Sequence, residues 1–533
     1  MMLIAAVLAA SALLAVCTAL EPIYLTRATD ACGRMDAQAA VRYFLIFVLC
    51  IAGILVFEAV RQILSGYYAA KKTEQLKGDV LKNILNMSIE TFAGENAQNY
   101  VTMLNNEIDM LVNQFYIERM NFIYSILVLV TSLTALISIN PVLAVLIVVT
   151  TLTPIISSSL CGGRISLRTN MYTESLRRFN VAVGNLISGY PTIKVNKISN
   201  SYGEILAGHN KETASKKFRA SKTEAMINML IGSLAYLGNI LLVGVSIYMI
   251  LHGKLTFGAM LGAIQISEML AIPTNSVAYQ LNNMASVKSI RMNIGQMAED
   301  FRKKCQNDDK VPTPGEKIQT IEFKDVTFKY GEKLILNHIS LKFEAGKKYM
   351  ILGENGSGKS TLFKLMSRFA TNYEGEILIN GRELKILSDD YYNHVGIVLQ
   401  TPFMFNDTLL NNISLYHNDD ESRVMAVLRT LELENFLKHH SLTDVYRDTE
   451  DNLSGGEKQK LALARVLLRQ KEFILLDEAT AAVDAASSYV IEKALLENEK
   501  LAVINIEHKL IEELMPYYDV IYRLENGRLQ KIN

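Results

Sequence analysis

A glycine-rich stretch with a single lysine is the strongest chemical signal in the sequence. Residues 353–360 read Gly-Glu-Asn-Gly-Ser-Gly-Lys-Ser and fit the spacing G-x-x-x-x-G-K-[ST] of a phosphate-binding loop. The glycines allow a tight turn whose N–H groups point at an anion, and a helix beginning there adds partial positive charge. Lys359 can then reach the β- and γ-phosphates, and the Ser360 hydroxyl can bind Mg²⁺. The stretch predicts a nucleoside triphosphate site.

The flanking sequence separates this interpretation from a solvated glycine turn. Tyr349–Leu352 is an apolar run typical of a buried strand, and Thr361–Phe369 has the pattern of a helix. A strand, a loop and a helix are the context that the motif requires. The predicted nucleotide-binding residues here are Gly353, Glu354, Asn355, Gly356, Ser357, Gly358, Lys359, Ser360 and Thr361.

Two carboxylates follow a second apolar run. Phe473–Leu476 predicts a buried strand, and Asp477 and Glu478 come directly after it. Ligands of open parallel sheets bind at the carboxyl ends of the strands, so we expect both carboxylates near the phosphates. Asp477 can hold Mg²⁺ through water, and Glu478 can act as general base on the attacking water.

A second anion-binding helix start is predicted at Leu453-Ser454-Gly455-Gly456-Glu457, which opens an apolar-faced helix. The phosphate loop already provides a binding site for the γ-phosphate, so this second helix start is redundant within a single chain. It becomes useful if two chains meet head to tail and each turn serves the other chain's nucleotide.

Three other polar positions carry weaker signals. Tyr330 ends a predicted strand over 318–330 and could stack on a base, although packing at a strand end explains it equally well. Gln400 ends a short strand at 395–399. His508 follows a strand over 501–506 and could be an ordinary surface histidine. Asp484 lies six residues after Glu478.

Composition divides the chain into a membrane part and a soluble part. Half of the 533 residues are hydrophobic, only 20% are charged, and charges are sparse inside apolar blocks before about residue 290. The net charge is zero, so nothing favours nucleic acid as a partner. The five cysteines lack a C-x-x-C pair, which argues against a zinc site.

Six apolar runs are long enough to cross a bilayer. The first could instead be a cleaved secretory or lipoprotein signal, but no lysine or arginine precedes Arg27. We therefore expect a transmembrane domain over 1–300, a linker over 301–317 containing two prolines, and a nucleotide-binding domain over 318–533. The predicted spans are 2–20, 43–64, 122–139, 141–160, 225–251 and 257–280, with a tight turn at Asn140-Pro141.

Positive charge predicts which side faces the cytoplasm. The two long loops, 66–118 and 162–224, carry fifteen lysines and arginines, whereas the opposite loops carry four. The long loops and both termini should be cytoplasmic. Apolar residues recur at helical spacing in 80–120, so the spans should extend as helices with turning tips near 88–99 and 194–202.

Polar residues inside the spans are candidates for a substrate path or for helix–helix hydrogen bonds. Glu58 and Arg61 are spaced to pair on one helix face. Asn239, Gln265 and Glu268 lie in the last two spans, where Pro273 with Gly258 and Gly262 could permit a bend.

Taken together, these motifs resemble a known family. The order of phosphate loop, Gln400, LSGGE, ILLDE, Asp484 and His508 resembles the nucleotide-binding domain of ABC transporters. Six spans with two long cytoplasmic loops resemble the membrane domain of ABC exporters. The resemblance implies a membrane all-α domain of six helices followed by an α/β P-loop NTPase domain with a helical subdomain.

The resemblance also implies roles for individual residues. Tyr330 would stack on adenine, Gln400 would sense Mg²⁺, and His508 would contact the γ-phosphate. Ser454, Gly455 and Gly456 would bind the partner chain's ATP, and Glu457 and Asp484 would also belong to the nucleotide-binding residues. The tips near 88–99 and 194–202 would be coupling helices. Two stretches depart from the family pattern: 444–450 lacks a glycine-containing loop, and Asp484 follows Ala-Ala-Val.

One phosphate loop and six spans make half a transporter, so a dimer is expected. Because the motifs of both half-sites are intact, a homodimer is favoured over one half of a heterodimeric exporter. The expected function is ATP-driven export of an amphipathic small molecule, peptide or lipid across a bacterial inner membrane. Two alternatives remain, a flippase of lipids or lipid-linked molecules and a nucleotide-gated channel. A DNA-repair ATPase is excluded by the spans.

Overall fold

The structure is a computed structural model and describes residues 2–93, 97–306, 317–447, 453–508 and 511–532. It divides into two units. Residues 1–83 with 98–299 form the first, called the helical unit here, and residues 84–97 with 300–533 form the second, the sheet unit.

Long helices make up the helical unit because its apolar runs have few helix-breaking residues. Two π-helical turns, at 103–107 and 112–117, interrupt the stretch that leads into α6. The helices as far as residue 306 are α1 (Met2–Gly33), α2 (Ala37–Leu85), α3 (Ile89–Ala93), α4 (Ala97–Thr102), α5 (Ile108–Leu111), α6 (Glu118–Ile139), α7 (Pro141–Ser188), α8 (Tyr190–Val195), α9 (Ser199–Leu251), α10 (Phe257–Ser286) and α11 (Lys288–Gln306).

Five helical segments of the described chain are long and apolar enough to cross a membrane: α1, α2, the stretch 99–139, α9 and α10. Of the predicted span 141–160, the segment Pro141–Thr151 at the start of α7 is apolar, and the side chains of 152–160 lie outside the described part. The Asn140 side chain accepts hydrogen bonds from the amides of Val142 and Leu143 and thereby caps α7. The turn between α6 and α7 is therefore at the expected Asn140-Pro141.

An unusually close contact joins α1 to α10. A Cβ atom on Gly258 would lie 2.5 Å from the carbonyl oxygen of Thr26, and one on Gly262 would overlap the Thr26 hydroxyl. The Asp30 carboxylate accepts hydrogen bonds from Thr256 Oγ1 (2.9 Å) and from the amide of Gly258 (3.1 Å). These glycines permit close helix packing. The helix α10 continues through Pro273.

Gly258→Ala is expected to destabilise the protein by about 1–3 kcal/mol, because the added methyl group would overlap both the Asp30 carboxylate and the backbone carbonyl oxygen of Thr26, and the backbone of α1 cannot move aside locally. The measurement is thermal unfolding of the full chain in detergent. Gly244→Ala in α9 is the control: a Cβ atom there meets nothing within 4 Å, so this variant should be neutral or slightly stabilised. Equal melting temperatures for the two variants would show that the contact between α1 and α10 can accommodate a methyl group at residue 258.

The polar residues predicted within the spans have different surroundings. Arg61 forms a two-point ion pair with Glu58, at 2.9 and 2.8 Å, and its guanidinium also lies over the Tyr124 ring. Asn239 accepts a hydrogen bond from Ser267 at 3.3 Å. Glu268 is exposed, whereas Gln265 binds the buried Glu21, which the sequence did not single out.

Two sheets form the frame of the sheet unit. An antiparallel sheet has the order β2-β1-β4-β5, and a larger sheet has the order β10-β9-β3-β8-β7-β6. Strands β6, β7, β8, β3 and β9 are parallel, so their carboxyl ends meet at one edge. The strands are β1 (Thr320–Tyr330), β2 (Lys333–Glu344), β3 (Lys348–Leu352), β4 (Glu374–Ile379), β5 (Arg382–Glu383), β6 (Val395–Val398), β7 (Phe473–Asp477), β8 (Ala502–Glu507), β9 (Val520–Glu525) and β10 (Arg528–Lys531).

Helices cover both faces of the larger sheet. They are α12 (Lys359–Met366), α13 (Tyr391–His394), α14 (Leu409–Ser414), α15 (Glu421–Thr430), α16 (Glu434–Leu437), α17 (Gly455–Leu468) and α18 (Ala485–Leu496). One apolar core contains α12 together with β1 and β2, and the other contains α14, α15, α17 and α18. The expected α/β domain with helical additions is therefore confirmed.

Several element boundaries differ from those expected. The helix after the phosphate loop ends at Met366 rather than Phe369, and Arg368 has a positive φ of 58°. Helix α11 reaches Gln306, so the first residues of the expected linker are helical, and residues 307–316 lie outside the described part. The second tip lies a few residues earlier than predicted: α8 spans Tyr190–Val195 and α9 begins at Ser199, so residues 189–198, rather than 194–202, join the two long helices.

Candidate nucleotide-binding and catalytic site

The phosphate loop begins at the carboxyl end of β3, a fully buried strand from 348 to 351. Gly356 and Gly358 adopt positive φ angles of 82° and 108°, which glycine accommodates without strain. Gly358 is the residue preceding the first turn of α12. Lys359 is only 5% exposed, and its Nζ donates to the carbonyls of Gly353 (2.6 Å) and Glu354 (3.0 Å).

This loop fits a phosphate group. The Ser357 hydroxyl is buried without a hydrogen-bond partner among the described residues, so it is available to a ligand. A Cβ atom on Gly353 would lie 2.7 Å from Ser357 Oγ and 2.6 Å from the carbonyl of Leu524, so a side chain would fill the loop. Ser360 is exposed beside the loop, and Thr361 is buried in α12.

Polar side chains from three parallel strands converge on Glu478. Its backbone has a positive φ of 49°, strained for a residue other than glycine, and its amide donates to the Ile506 carbonyl at 3.0 Å. Gln400 Nε2 donates to Glu478 Oε2 at 2.6 Å. His508 Nε2 lies 2.5 Å from the other oxygen, Oε1.

His508 also links the carboxylate to the phosphate loop. Its Nδ1 lies 3.3 Å from Lys359 Nζ. An ammonium group can only donate, so Nδ1 accepts and Nε2 carries the proton that faces Glu478. Four residues predicted from separate motifs, Lys359, Gln400, Glu478 and His508, therefore form one connected cluster.

The electrostatics of the cluster suit a bound cation. Burial raises the pKa of Asp477, and the neighbouring Glu478 carboxylate raises it further. Burial lowers the pKa of Lys359, although the nearby carboxylates oppose that shift. A divalent ion beside Asp477 would offset the repulsion between two adjacent carboxylates. The donor set of Ser360, Gln400 and Asp477 consists of oxygen ligands, which Mg²⁺ prefers.

Tyr330 lies at the end of β1 with half of its surface exposed. Its ring packs edge-on against Phe328, and the Lys364 ammonium lies 5.9 Å from the ring centroid. The remaining open face is available to stack on a flat ring.

Ser454 is the N-cap of α17, and Glu457 completes a capping box. The Glu457 amide donates to Ser454 Oγ at 3.2 Å, and the Ser454 amide donates to the Glu457 carboxylate at 2.7 Å. The backbone of Gly456 packs against Ala482. Asp484 caps α18 by accepting a hydrogen bond from the Ser487 amide at 3.0 Å. Residues 448–452, which include the end of the departing stretch 444–450, lie outside the described residues.

Gln459 is a site residue that the sequence did not reveal. It is 2% exposed, its Nε2 donates to the Gln400 carbonyl at 3.2 Å, and its Oε1 accepts from the Ala482 amide at 2.9 Å. It therefore links α17 to the loops on either side. The only sequence signal is its place two residues after Glu457 on a helix whose other buried positions are mostly apolar.

Glu507 is a second unforeseen residue. It ends β8 beside Leu352 of β3, and its Oε1 is buried without a hydrogen-bond partner among the described residues. Burial, assisted by the nearby Glu492, Glu478 and Asp477 carboxylates, raises the pKa of Glu507 to about 8. At neutral pH this carboxyl therefore holds a proton and adds little negative charge to the site.

Glu507→Gln is expected to raise the melting temperature of the full chain at pH 9 by about 5 °C or more. The folded pKa lies above the unfolded value, so wild-type stability falls as pH rises from about 4.5 to about 8, and the cost is complete above that. The neutral amide removes this cost, so the two proteins should converge near pH 5. The exposed Glu513→Gln is the control and should show no such pH dependence. Parallel melting curves for wild type and Glu507→Gln across this range would contradict the assignment.

Comparisons with known proteins agree with this architecture. Residues 4–273 match the family described as the ABC transporter transmembrane region, and residues 336–481 match that described as ABC transporter. The chain is 28% identical over 392 residues to the Microcin-J25 export ATP-binding/permease protein McjD of Escherichia coli, covering 70% of this chain and 64% of that protein. It is 38% identical over 221 residues to the ATP-dependent lipid A-core flippase of Yersinia pestis, covering 39% of this chain and 37% of the flippase.

A solved structure shares the fold. The structure of a bacterial Atm1-family ABC exporter with ATP bound superposes with a TM-score of 0.77 and 22% identity, covering 97% of this chain and 92% of that one. The matches thus span less than two thirds of the two relatives above but nearly all of this structural neighbour. The transmembrane-region match covers more than half of the chain. The chain belongs to the ABC transporter family and joins one transmembrane region to one ABC domain.

Proposed function

We propose that this chain is one half of a dimeric exporter that uses ATP hydrolysis to move an amphipathic small molecule, peptide or lipid across a membrane. The observation that carries the proposal is the cluster of Lys359, Gln400, Glu478 and His508 beside an open phosphate loop. It occurs in a chain whose other unit contains helices of membrane-spanning length.

The geometry of the cluster supports a separate role for each residue during ATP hydrolysis. Lys359 would exchange its two carbonyl partners for the β- and γ-phosphates, and Tyr330 would stack on adenine. Glu478 would orient the attacking water and take its proton, and His508 would contact the γ-phosphate. Mg²⁺ held by Ser360, Gln400 and Asp477 would supply positive charge to the phosphates.

The turn at Leu453–Glu457, called the signature turn here, supports a dimer. Ser454, Gly455 and Gly456 begin a capped helix whose first amides could bind a partner's γ-phosphate, with Asp484 nearby on the next helix. Because every motif is intact, we propose two equal sites in a homodimer. Helix α2 buries only Cys50, Val80 and Asn83 of its 49 residues, so its apolar side chains are available to lipid or to a second copy.

We propose that the conformational change of the ABC domain reaches the membrane helices through the first long loop, residues 66–118. Residues 84–97 belong to the sheet unit, and Thr371 Oγ1 donates a hydrogen bond to Glu90 of α3. Residues 94–96 of this tip lie outside the described part. ATP-driven dimer closure would shift the two-state equilibrium of the membrane helices from inward- to outward-facing. The excess of lysine and arginine in the two long loops supports an ABC domain in the cytoplasm, and the relative from Escherichia coli supports a bacterial inner membrane.

An apolar cavity of about 230 Å³ between α6, α7 and α10 favours an amphipathic or lipid-like cargo. Leu129, Val148 and Leu270 contribute to its lining. A flippase function is the second candidate, because a relative that is 38% identical over 221 residues is named as an ATP-dependent lipid A-core flippase. A nucleotide-gated channel is the third and the least supported, since the catalytic cluster is complete.

The test uses the purified chain in liposomes with the ABC domain outside. Addition of ATP and Mg²⁺ should drive the concentrative uptake of a cationic dye, or the inward movement of a fluorescent lipid if the chain is a flippase. Uphill accumulation supports export, lipid movement alone supports the flippase, and an ATP-dependent ion current without accumulation identifies a channel. A mass measurement showing a single chain with ATP and vanadate bound would refute the dimer.

A further inference from the structure

A carboxylate and an amide form an incompletely satisfied pair inside the helical unit. Glu21 of α1 is 4% exposed, and Gln265 Nε2 of α10 donates to Glu21 Oε1 at 2.5 Å. The remaining oxygens, Glu21 Oε2 and Gln265 Oε1, are both buried without a hydrogen-bond partner among the residues that the structure describes. Each is bonded to the same carbon as one atom of the hydrogen bond, so the two unpartnered acceptors lie beside it.

The surroundings make this arrangement costly. The neighbouring turns of α1 and α10 contribute Ala19, Ile23, Ala263 and Ile266 to an apolar core. A carboxylate buried among apolar helices with one partner loses far more solvation than one hydrogen bond restores. Such residues in membrane domains usually face a functional partner.

Helix packing does not account for the pair. The contact between α1 and α10 is already formed by Gly258 and Gly262 against Thr26, and it is fixed at one end by the hydrogen bonds of Asp30. A serine or a second amide would bridge the helices without the cost of an ionisable group. A protonated carboxyl could close a second hydrogen bond from Glu21 Oε2 to Gln265 Oε1, whereas an ionised one leaves both oxygens without a donor; the binding experiment below distinguishes these two states.

The unpartnered atoms define the missing ligand chemically. Both are acceptors, and one belongs to a group that can be negatively charged, so the complementary ligand is a donor with positive charge. A protonated amine offers three N–H donors on one atom and could bind both oxygens at once. We propose that Glu21 and Gln265 form a recognition site for a protonated amine of the cargo.

This inference deepens the export function proposed above, on which it rests, by naming a cargo class: amphipathic molecules with a primary or secondary amine. Glu21 would supply the charge, and Gln265 would position the carboxylate while offering the second acceptor. The glycine contact one to two turns away would hold the two helices at a fixed distance, so that the pair is preformed.

The experiment measures binding of monodansylcadaverine to the full chain in lipid nanodiscs without nucleotide, by fluorescence. The N-acetylated derivative is the comparison, since it has the same apolar body but neither the charge nor the amine donors. Wild type should bind the amine about tenfold or more tightly than the acetylated form. Glu21→Gln, which preserves size and can still pair with Gln265, should reduce that preference to nearly one.

Glu204→Gln is the control, because Glu204 is an exposed carboxylate on α9 outside the predicted spans. It should retain the wild-type preference. A wild-type preference near one, the absence of amine binding, or an unchanged preference in Glu21→Gln would each overturn the proposal and would indicate a carboxyl that simply carries a proton. A melting curve for Glu21→Gln close to that of wild type confirms that a lost preference is not unfolding.

A failure of the proposed export function can be distinguished from a failure of the proposed amine site. Amine preference is measured without ATP, whereas export requires ATP-driven accumulation in liposomes. ATP-driven transport without amine preference would refute only the recognition site. Amine preference without ATP hydrolysis or accumulation would refute only the exporter.

Discussion

Replacing Glu478 with glutamine is expected to lower steady-state ATP hydrolysis by about 100-fold or more. In the structure, both carboxylate oxygens of Glu478 face donors, Gln400 Nε2 at 2.6 Å and His508 Nε2 at 2.5 Å. An amide of the same size keeps the position but cannot take a proton from water, and its NH₂ group would face one of the two donors. Nucleotide binding should persist, because the phosphate loop is unchanged, so the variant should accumulate as a closed dimer with ATP.

The measurement is phosphate release at saturating ATP, together with the mass of the nucleotide-bound complex. Glu513→Gln is the matched control, since Glu513 is exposed outside this cluster, and it should hydrolyse ATP at the wild-type rate. Normal turnover by Glu478→Gln would remove Glu478 from the role of general base. Loss of ATP binding would instead assign it a structural role in forming the site.

Two variants that are each inactive alone are expected to form a heterodimer that hydrolyses ATP. Lys359→Ala should abolish hydrolysis because it removes the buried ammonium from the loop, and Ser454→Arg should abolish it because it replaces the cap of α17 and blocks its first turn. In a head-to-tail dimer, each site uses Lys359 of one chain and Ser454 of the other. A heterodimer of the two variants then has one doubly altered site and one intact site.

The variants are co-expressed with different affinity tags, and the heterodimer is isolated through both. Independent sites predict about half of wild-type hydrolysis, and vanadate should trap about one nucleotide per heterodimer. Each variant alone provides the baseline. If the heterodimer traps no more nucleotide than its parents, each chain completes its own site and the proposed role of the signature turn is wrong.

The chemistry of the ABC domain could be predicted from sequence because it depends on local backbone geometry. The phosphate loop needs glycines at the positions where φ is positive, and the structure has Gly356 and Gly358 there. The carboxylates needed an apolar strand before them, and β7 provides it. His508 and Gln400 were ambiguous alone, because their meaning lies in their distance from Glu478 across neighbouring strands.

Other positions could not be found in this way. Gln459 and Glu507 look like ordinary residues of a helix and a strand, and only packing brings Gln459 between two loops and leaves a Glu507 oxygen without a partner. The same applies to Glu21, which follows the first apolar run directly and resembles a residue at the end of a span. Helix α1 continues for three further turns to Gly33, so the carboxylate is buried.

The sequence by itself determined the order of the domains, the phosphate loop, the catalytic carboxylates and the apolar helices, because each is encoded by residues close together in the chain. Only the tertiary structure decided that Lys359, Gln400, Glu478 and His508 form one cluster, that two glycines of α10 pack against α1, and that Glu21 meets Gln265. Those contacts join residues tens to hundreds of positions apart. Their existence depends on strand order and helix packing, which no local pattern specifies.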